Sequence, residues 1–157
     1  MAMIHEKLYQ SSGLARIGFA DYIEHLTTYL IQSYVMKQKI IQIKTDVDDI
    51  LLGIDTAIPC GIIINELVTN SLKHGFPGDK EGLITIQLRK TNEKFILRVI
   101  DDGVGFPETI DYQNTETLGL QLINSLVMQL DGTMDLITDN GTEFKIIFQE
   151  MMYPNRI

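Results

Sequence analysis

The sequence predicts an α/β two-layer sandwich, in which about three helices pack on one face of a mixed, mostly antiparallel sheet of about five strands, behind an N-terminal helical stub. Three observations predict it. Apolar residues recur at helical spacing around Leu26, Leu67 and Val127. β-Branched or alternating runs at 40–45, 83–90, 95–101, 134–138 and 142–149 read as strands. The late strands are joined by short turns rich in Asn, Asp, Glu and Gly, as hairpins require.

The elements follow in order. Residues 1–10 read as the end of a helix, with Ile4 and Leu8 on one face, and Ser11-Ser12-Gly13 breaks it. From Phe19 to about Lys37, Ile23, Leu26, Leu30 and Tyr34 form an apolar helical stripe, with Asp21 and Glu24 in its first turn. A strand at 40–45 is followed by a turn at Asp46-Val47-Asp48-Asp49, and 50–54 reads as a short second strand. Asp55 or Thr56 then caps a helix that holds Pro59 in its first turn, runs to about His74 and stops at Gly75 as a C′ residue. Phe76-Pro77-Gly78-Asp79 is a turn. The 83–90 and 95–101 strands make a hairpin. Residues 103–116 have no period and are rich in Gly, Pro, Asp, Thr and Asn, the pattern of a functional loop. A helix opens at Thr117, buries Leu120, Ile123, Val127 and Leu130, and stops at Gly132. Two strands joined at Asp139-Asn140-Gly141 complete the chain.

Size and charge narrow the function. A chain of 157 residues suits one domain with one core. A net charge of −8 argues against a broad basic face for nucleic acid. An anionic ligand would need local help from a metal ion, backbone N–H groups or a few cations. The one cysteine, Cys60, excludes an internal disulfide, fits a reducing compartment and reads as a small buried hydrophobe. No apolar run approaches the ~20 residues of a membrane span, and the first residues do not form a signal peptide. A cytoplasmic location with no membrane contact by this chain is expected, whether or not a larger protein is anchored.

The chemistry gathers on Asn65-Glu66-Leu67-Val68-Thr69-Asn70-Ser71-Leu72-Lys73-His74. At about 100° per residue, Glu66, Asn70, Lys73 and His74 share one arc of a helix, while Cys60, Ile64, Leu67, Val68 and Leu72 face the core. Asn70 offers a neutral oxygen to Mg²⁺, an ion that keeps waters and takes phosphates as further ligands. Glu66, one turn back, can orient a water or a nucleophile. Lys73 and His74, one turn on, can meet phosphate. Asp101-x-Gly103-x-Gly105 ends a strand, so its carboxylate can accept from an exocyclic amine while the glycines leave room for a ring. Leu118-Gly119-Leu120 opens a helix whose first N–H groups are unpaired. Gly141-Thr142-Glu143-Phe144 joins two strands and brings a hydroxyl within reach of a base. Singly, each is also what a solvated helix face, a plain turn or a helix cap looks like.

In combination, their order and spacing over roughly residues 19–150 resemble the GHKL ATPases, the superfamily of DNA gyrase, a heat-shock chaperone, mismatch-repair ATPases and histidine kinases. The stretch 65–76, Leu118-Gly119-Leu120-Gln121-Leu122 and Gly141-Thr142-Glu143-Phe144 look most like sensor histidine kinases related to the HWE subgroup. Ile4-His5-Glu6-Lys7-Leu8-Tyr9-Gln10 is similar to the end of that subgroup's dimerisation hairpin.

The resemblance implies a Bergerat-type site for ATP and Mg²⁺. Asn70 would hold the metal, with Glu66 beside it as the polarising group. Lys73 and His74 would touch phosphates. Asp101 would read the adenine amine, and Gly103 and Gly105 would shape the base pocket. Residues 107–117 would be a lid, Leu118, Gly119 and Leu120 its hinge onto the phosphates, and Thr142 a base contact. The implied domains are a hairpin end and linker at 1–18, the ATP-binding domain at 19–150 and a tail at 151–157. The implied partners are the protein's own dimerisation and phosphoacceptor helices, a response-regulator receiver domain and, in the full-length protein, a second copy. The second glycine box is reduced to Gly119, no phenylalanine box is found, and the helix that carries the family's phosphoacceptor histidine is absent. His5 aligns with the other hairpin helix. An anti-sigma-factor-type serine kinase and a nucleotide-dependent clamp of the same superfamily are the alternative expectations.

Overall fold

Alternation decides which side of each strand is buried, and it runs unbroken into the region where the glycines cluster. Along 94–101, Phe95, Leu97, Val99 and Asp101 are buried, whereas Ile96, Arg98 and Ile100 are half-exposed. The computed structural model describes residues 16–34, 41–76, 81–105, 118–138 and 140–150. Its elements are β1 (Arg16–Gly18), α1 (Phe19–Tyr34), β2 (Ile41–Val47), β3 (Leu51–Gly53), α2 (Ile54–Asn70), β4 (Gly82–Thr91), β5 (Lys94–Asp101), α3 (Leu118–Gln129), β6 (Thr133–Ile137) and β7 (Thr142–Gln149). A π-helical turn, Ser71–Gly75, continues α2.

The main sheet has the order β2-β4-β5-β7-β6. Only β2 and β4 run parallel; the other neighbours are antiparallel. The three helices pack on its inner face, with α2 against both α1 and α3. This is the two-layer sandwich expected. Ile23, Leu26, Ile63, Ile64, Leu67, Ile84, Ile86, Leu97 and Ile146 fill the space between the layers. Each such side chain contributes about 1.5–3 kcal/mol when fully buried. At the far end of the sheet the Phe95 and Phe148 rings stack with centroids 5.3 Å apart.

Several local expectations are corrected. A strand not foreseen, β1, pairs antiparallel with β3 apart from the main sheet, and its Ile17 enters the core. Glu150 ties this ribbon to the sheet: its carboxylate meets Arg16 at 3.2 Å and accepts from Gly53 N–H at 3.0 Å. Asp46 and Val47 are not a turn but the end of β2, opposite Gln87 and Leu88. Arg89 prolongs the pairing by donating to the Asp46 carbonyl at 3.0 Å and to Asp48 Oδ1 at 3.3 Å. Its guanidinium also bonds the Asp46 carboxylate and holds that group below the usual carboxylate range.

Helix α2 starts earlier than predicted. Gly53 is its N-cap and no side chain caps it, so neither Asp55 nor Thr56 has that role. Pro59 therefore lies in the second turn, where it removes one i→i−4 bond. Gly75 is no left-handed C′ residue, since only Gly105 and Gly141 among the described glycines have positive φ. At the end of α3 the left-handed residue is Asp131 (φ 54°), not Gly132. Gly132 is needed instead because a Cβ there would press on the Ile147 carbonyl oxygen at 2.7 Å. The predicted stub at 1–10, His5, the turn at 77–79 and the tail at 151–157 lie outside the described residues.

Tyr22 of α1 is 4% exposed, and its hydroxyl is the buried side-chain polar atom without a partner among the described residues. Burial, then the neighbouring Cys60, pushes its phenol up to about 12. A folded pKa above the unfolded value of ~10 means stability that is full below pH ~10 and lost as pH rises toward 12. Burial raises the Cys60 thiol as well, so it adds a loss beginning at lower alkaline pH. Tyr22→Phe is expected to stabilise the protein by about 1 kcal/mol at pH 8, because an unpaired buried hydroxyl is removed. It should also flatten the decline above pH 10. Urea unfolding midpoints at pH 8 and 10.5 measure both; a variant less stable at both would refute it.

Candidate nucleotide-binding site

The site forms where four elements end together: the C-terminus of α2, the end of β5, the start of β7 and the start of α3. Strand alternation turns Asp101 toward the helices, and it is only 4% exposed. Register pairs it with Thr142, the first residue of β7, also buried. The sequence-predicted base reader and base contact are therefore cross-strand neighbours.

Both carboxylate oxygens of Asp101 are held. Ser71 Oγ donates to Oδ2 at 2.6 Å, and the Gly103 N–H donates to Oδ1 at 3.0 Å. Ser71 directly follows Asn70, the last residue of α2. The predicted metal ligand and the predicted base reader are thus one residue apart across a hydrogen bond, although 31 positions separate them in sequence. Val104 N–H donates to the Gly75 carbonyl at 2.9 Å, docking the strand exit on the π turn. A Cβ at Gly103 would run into that carbonyl, and one at Gly141 would run into the backbone of Asp101. Gly105 and Gly141 have φ of 88° and 116°, which a side chain rarely tolerates. Backbone crowding sets Gly103 and Gly141, and positive φ sets Gly105 and Gly141.

Glu66 is half-buried and points at the start of α3: a Cβ on Gly119 would lie 3.1 Å from its Oε2. The room at Gly119 expected for phosphate is thus shared with a carboxylate. Leu120 is a core residue at 3% exposure, so only its backbone faces the helix end. Leu118 contributes the first residue of α3. Lys73 and His74 are exposed on the π turn. Its i→i+5 bonding widens the turn, so the α-helical arc computed for them does not carry past Asn70. Residues 106–117, which include the predicted lid, are outside the described residues. A separate concavity lined by Asn92, Lys94, Ile96 and Ile147 lies at the opposite end of β5 and shares no residue with this site.

Two residues were missed. Ser71 is given no role in the sequence reading, although a hydroxyl beside Asn70 was the available signal. Gly75 was read as a helix stop, and no local signal distinguishes that from its contact with Gly103.

A family profile described as histidine kinase-, DNA gyrase B-, and HSP90-like ATPase matches residues 56–151. The chain belongs to this ATPase family. Within the GHKL ATPases, its branch is that of the histidine kinases: a second profile, described as histidine kinase, matches residues 1–34. Blue-light-activated histidine kinase 2 of Erythrobacter litoralis is 30% identical over 144 residues, covering 86% of this chain and 41% of that protein. Sensor histidine kinase PdtaS of Mycobacterium tuberculosis is 33% identical over 97 residues, 59% of this chain and 19% of its own length. The chain therefore spans less than half of either relative. A solved histidine kinase domain from the Erythrobacter litoralis EL346 blue-light activated kinase superposes with a TM-score of 0.78 at 23% identity, over 85% of this chain and 62% of that one. That likeness establishes the fold. Within the described residues, no helix of this GHKL chain is long and apolar enough to cross a membrane.

The described residues of this GHKL domain contain no group of three or more His, Cys, Asp or Glu side chains placed to hold a metal. The donor set at the site is one amide oxygen with one carboxylate a turn away. Such a set fits a Mg²⁺ that brings phosphate and water ligands with it.

Proposed function

We propose that this chain binds Mg-ATP at the site between α2, β5, β7 and α3 and serves as the catalytic half of a two-component sensor histidine kinase. The observation that supports it best is the doubly held Asp101 next to Asn70. A base-reading carboxylate and a phosphate-side amide stand one residue apart, as one nucleotide would require. Thr142 reads the base beside Asp101, and Gly103 and Gly105 admit its ring. Lys73, His74 and the backbone N–H groups of Leu118, Gly119 and Leu120 take the phosphates. Mg²⁺ held by Asn70 would neutralise phosphate charge. Glu66 orients and polarises the attacking nucleophile.

In the transfer, an imidazole nitrogen of a histidine outside 19–150 attacks the γ-phosphorus. The bond from that phosphorus to the β–γ bridging oxygen breaks, and ADP leaves with the electron pair. Catalysis is positioning plus electrostatics. We place the hairpin end and linker at 1–18, the catalytic unit at 19–150 and a tail at 151–157, with β1 as the join. Cytoplasmic location, dimerisation through the hairpin and delivery of the phosphoryl group to a receiver-domain aspartate belong to the same proposal.

Asn70→Ala tests it. The residue is half-exposed at a helix end, so folding is expected to be unaffected. Affinity for Mg-ATP should fall about tenfold or more, which corresponds to ~1.4 kcal/mol. The Mg²⁺ dependence of binding should disappear. Calorimetric titration with and without Mg²⁺ measures this, and unchanged affinity would overturn the assignment. Supplied with its dimerisation hairpin, the domain should form acid-labile phosphohistidine; an acid-stable serine phosphoester would favour the serine-kinase alternative.

A further inference from the structure

We propose that Ser71 is a positioning and specificity-determining residue of the base pocket, setting the preference for adenine through its hydrogen bond to Asp101. The inference rests on the function proposed above. Its starting point is the 2.6 Å contact from Ser71 Oγ to Asp101 Oδ2, within the range of charge-assisted O–H···O⁻ bonds.

The local fold explains how a residue on a helix reaches a strand end. Helix α2 changes from α to π geometry at Ser71, directly after Asn70. Such insertions widen the turn and re-aim its side chains, and they recur at functional sites. Here the π turn engages the β5 exit twice, through the Ser71 hydroxyl and through the Gly75 carbonyl that accepts from Val104 N–H.

A serine hydroxyl has one hydrogen and two lone pairs. Its hydrogen is spent on Asp101, so toward a ligand Ser71 offers only acceptor capacity. The Gly103 N–H is likewise spent on Oδ1. Asp101 and Ser71 together present acceptors and no free hydrogen. An exocyclic amine matches that wall. A carbonyl at the same ring position sets acceptor against acceptor, and sites built to bond an N–H reject analogues that lack it. Alanine at 71 would release Oδ2, and the buried carboxylate could rotate away from the orientation that receives the amine.

The deciding measurement is the dissociation constant of the chain for ATP and for ITP, whose hypoxanthine carries a carbonyl where adenine carries the amine. Wild type should prefer ATP. Ser71→Ala should weaken ATP binding about 5- to 20-fold, because the amine then meets a carboxylate no longer held in the receiving orientation, so the bond between them is weakened rather than lost. ITP binding should change less than about twofold, so the ATP/ITP ratio falls by nearly the full factor. A structural role alone would weaken both nucleotides equally, and that result, or an unchanged ratio, would overturn the inference while leaving the function intact. Should the alanine variant fail to fold, Ser71→Thr, which keeps the hydroxyl, is expected to retain the wild-type ratio; a collapsed ratio there would overturn it too. A wild-type chain that bound no ATP would remove the proposed function and this inference with it.

Discussion

Asp101→Asn is expected to lower affinity for ATP about a hundredfold and to bring ITP binding level with or above it. Two local donors, the Ser71 hydroxyl and the Gly103 N–H, are aimed at the two carboxylate oxygens. An asparagine has a single acceptor oxygen and an NH₂ group in place of the other. If its oxygen keeps the Gly103 N–H, the NH₂ replaces Oδ2, and a donor then faces the adenine amine. The lost bond to a charged group costs about 1.5–3 kcal/mol, and donor-to-donor opposition adds to it. A hundredfold corresponds to about 2.8 kcal/mol. A carbonyl at that ring position becomes the better match, so the preference should reverse as well as weaken. Parallel titrations with ATP and ITP read both effects. Undiminished ATP affinity with a folded protein would mean that the base does not bind at Asp101.

Gly61→Ala should cost about 2 kcal/mol of stability. Gly61 lies mid-helix in α2, where alanine normally gains about 1 kcal/mol over glycine. Here a Cβ would occupy the place of the Tyr22 hydroxyl and its adjoining ring carbons. The ring cannot step aside, because it is 4% exposed and packs on Phe19 with centroids 5.7 Å apart. Forcing extra volume into a filled core costs about 1–3 kcal/mol and sometimes more, which outweighs the helical gain. The melting temperature should fall by about 4–8 °C. Tyr22→Leu combined with Gly61→Ala should recover part of the loss, since the clash is between those two side chains. Helix α2 carries Glu66 and Asn70, so the single variant should also bind ATP more weakly. An unchanged urea midpoint for Gly61→Ala would show that α1 and α2 separate freely.

Much of this was legible in sequence because it depends on residues close along the chain. The stripe Ile23, Leu26, Leu30, the alternation of β5 and β7, and the apolar side of α2 each follow from a period of 3.6 or 2. Asp101 and Thr142 could be named as candidates from the Asp-x-Gly-x-Gly and Gly-Thr-x-Phe patterns at the strand ends and the resemblance they carry, and alternation predicts that both lie where strands end. What failed were features whose cause lies far away in sequence. Arg89 lengthens β2 from another strand, Gly53 is held by Glu150, and Gly75 serves Gly103. None of these partners is visible from the segment it shapes.

By itself the sequence determined the two-layer fold and the inward faces of α1, α2, β5 and β7, and it nominated the residues from Glu66 to Thr142 that we propose carry the chemistry. Tertiary structure alone decided that Ser71 meets Asp101, that Glu66 lies against Gly119, and that α2 ends in a π turn. The physical reason is range. Propensity and hydrophobic period act within a few residues, whereas a hydrogen bond or a close backbone approach joins atoms that only the finished packing brings together.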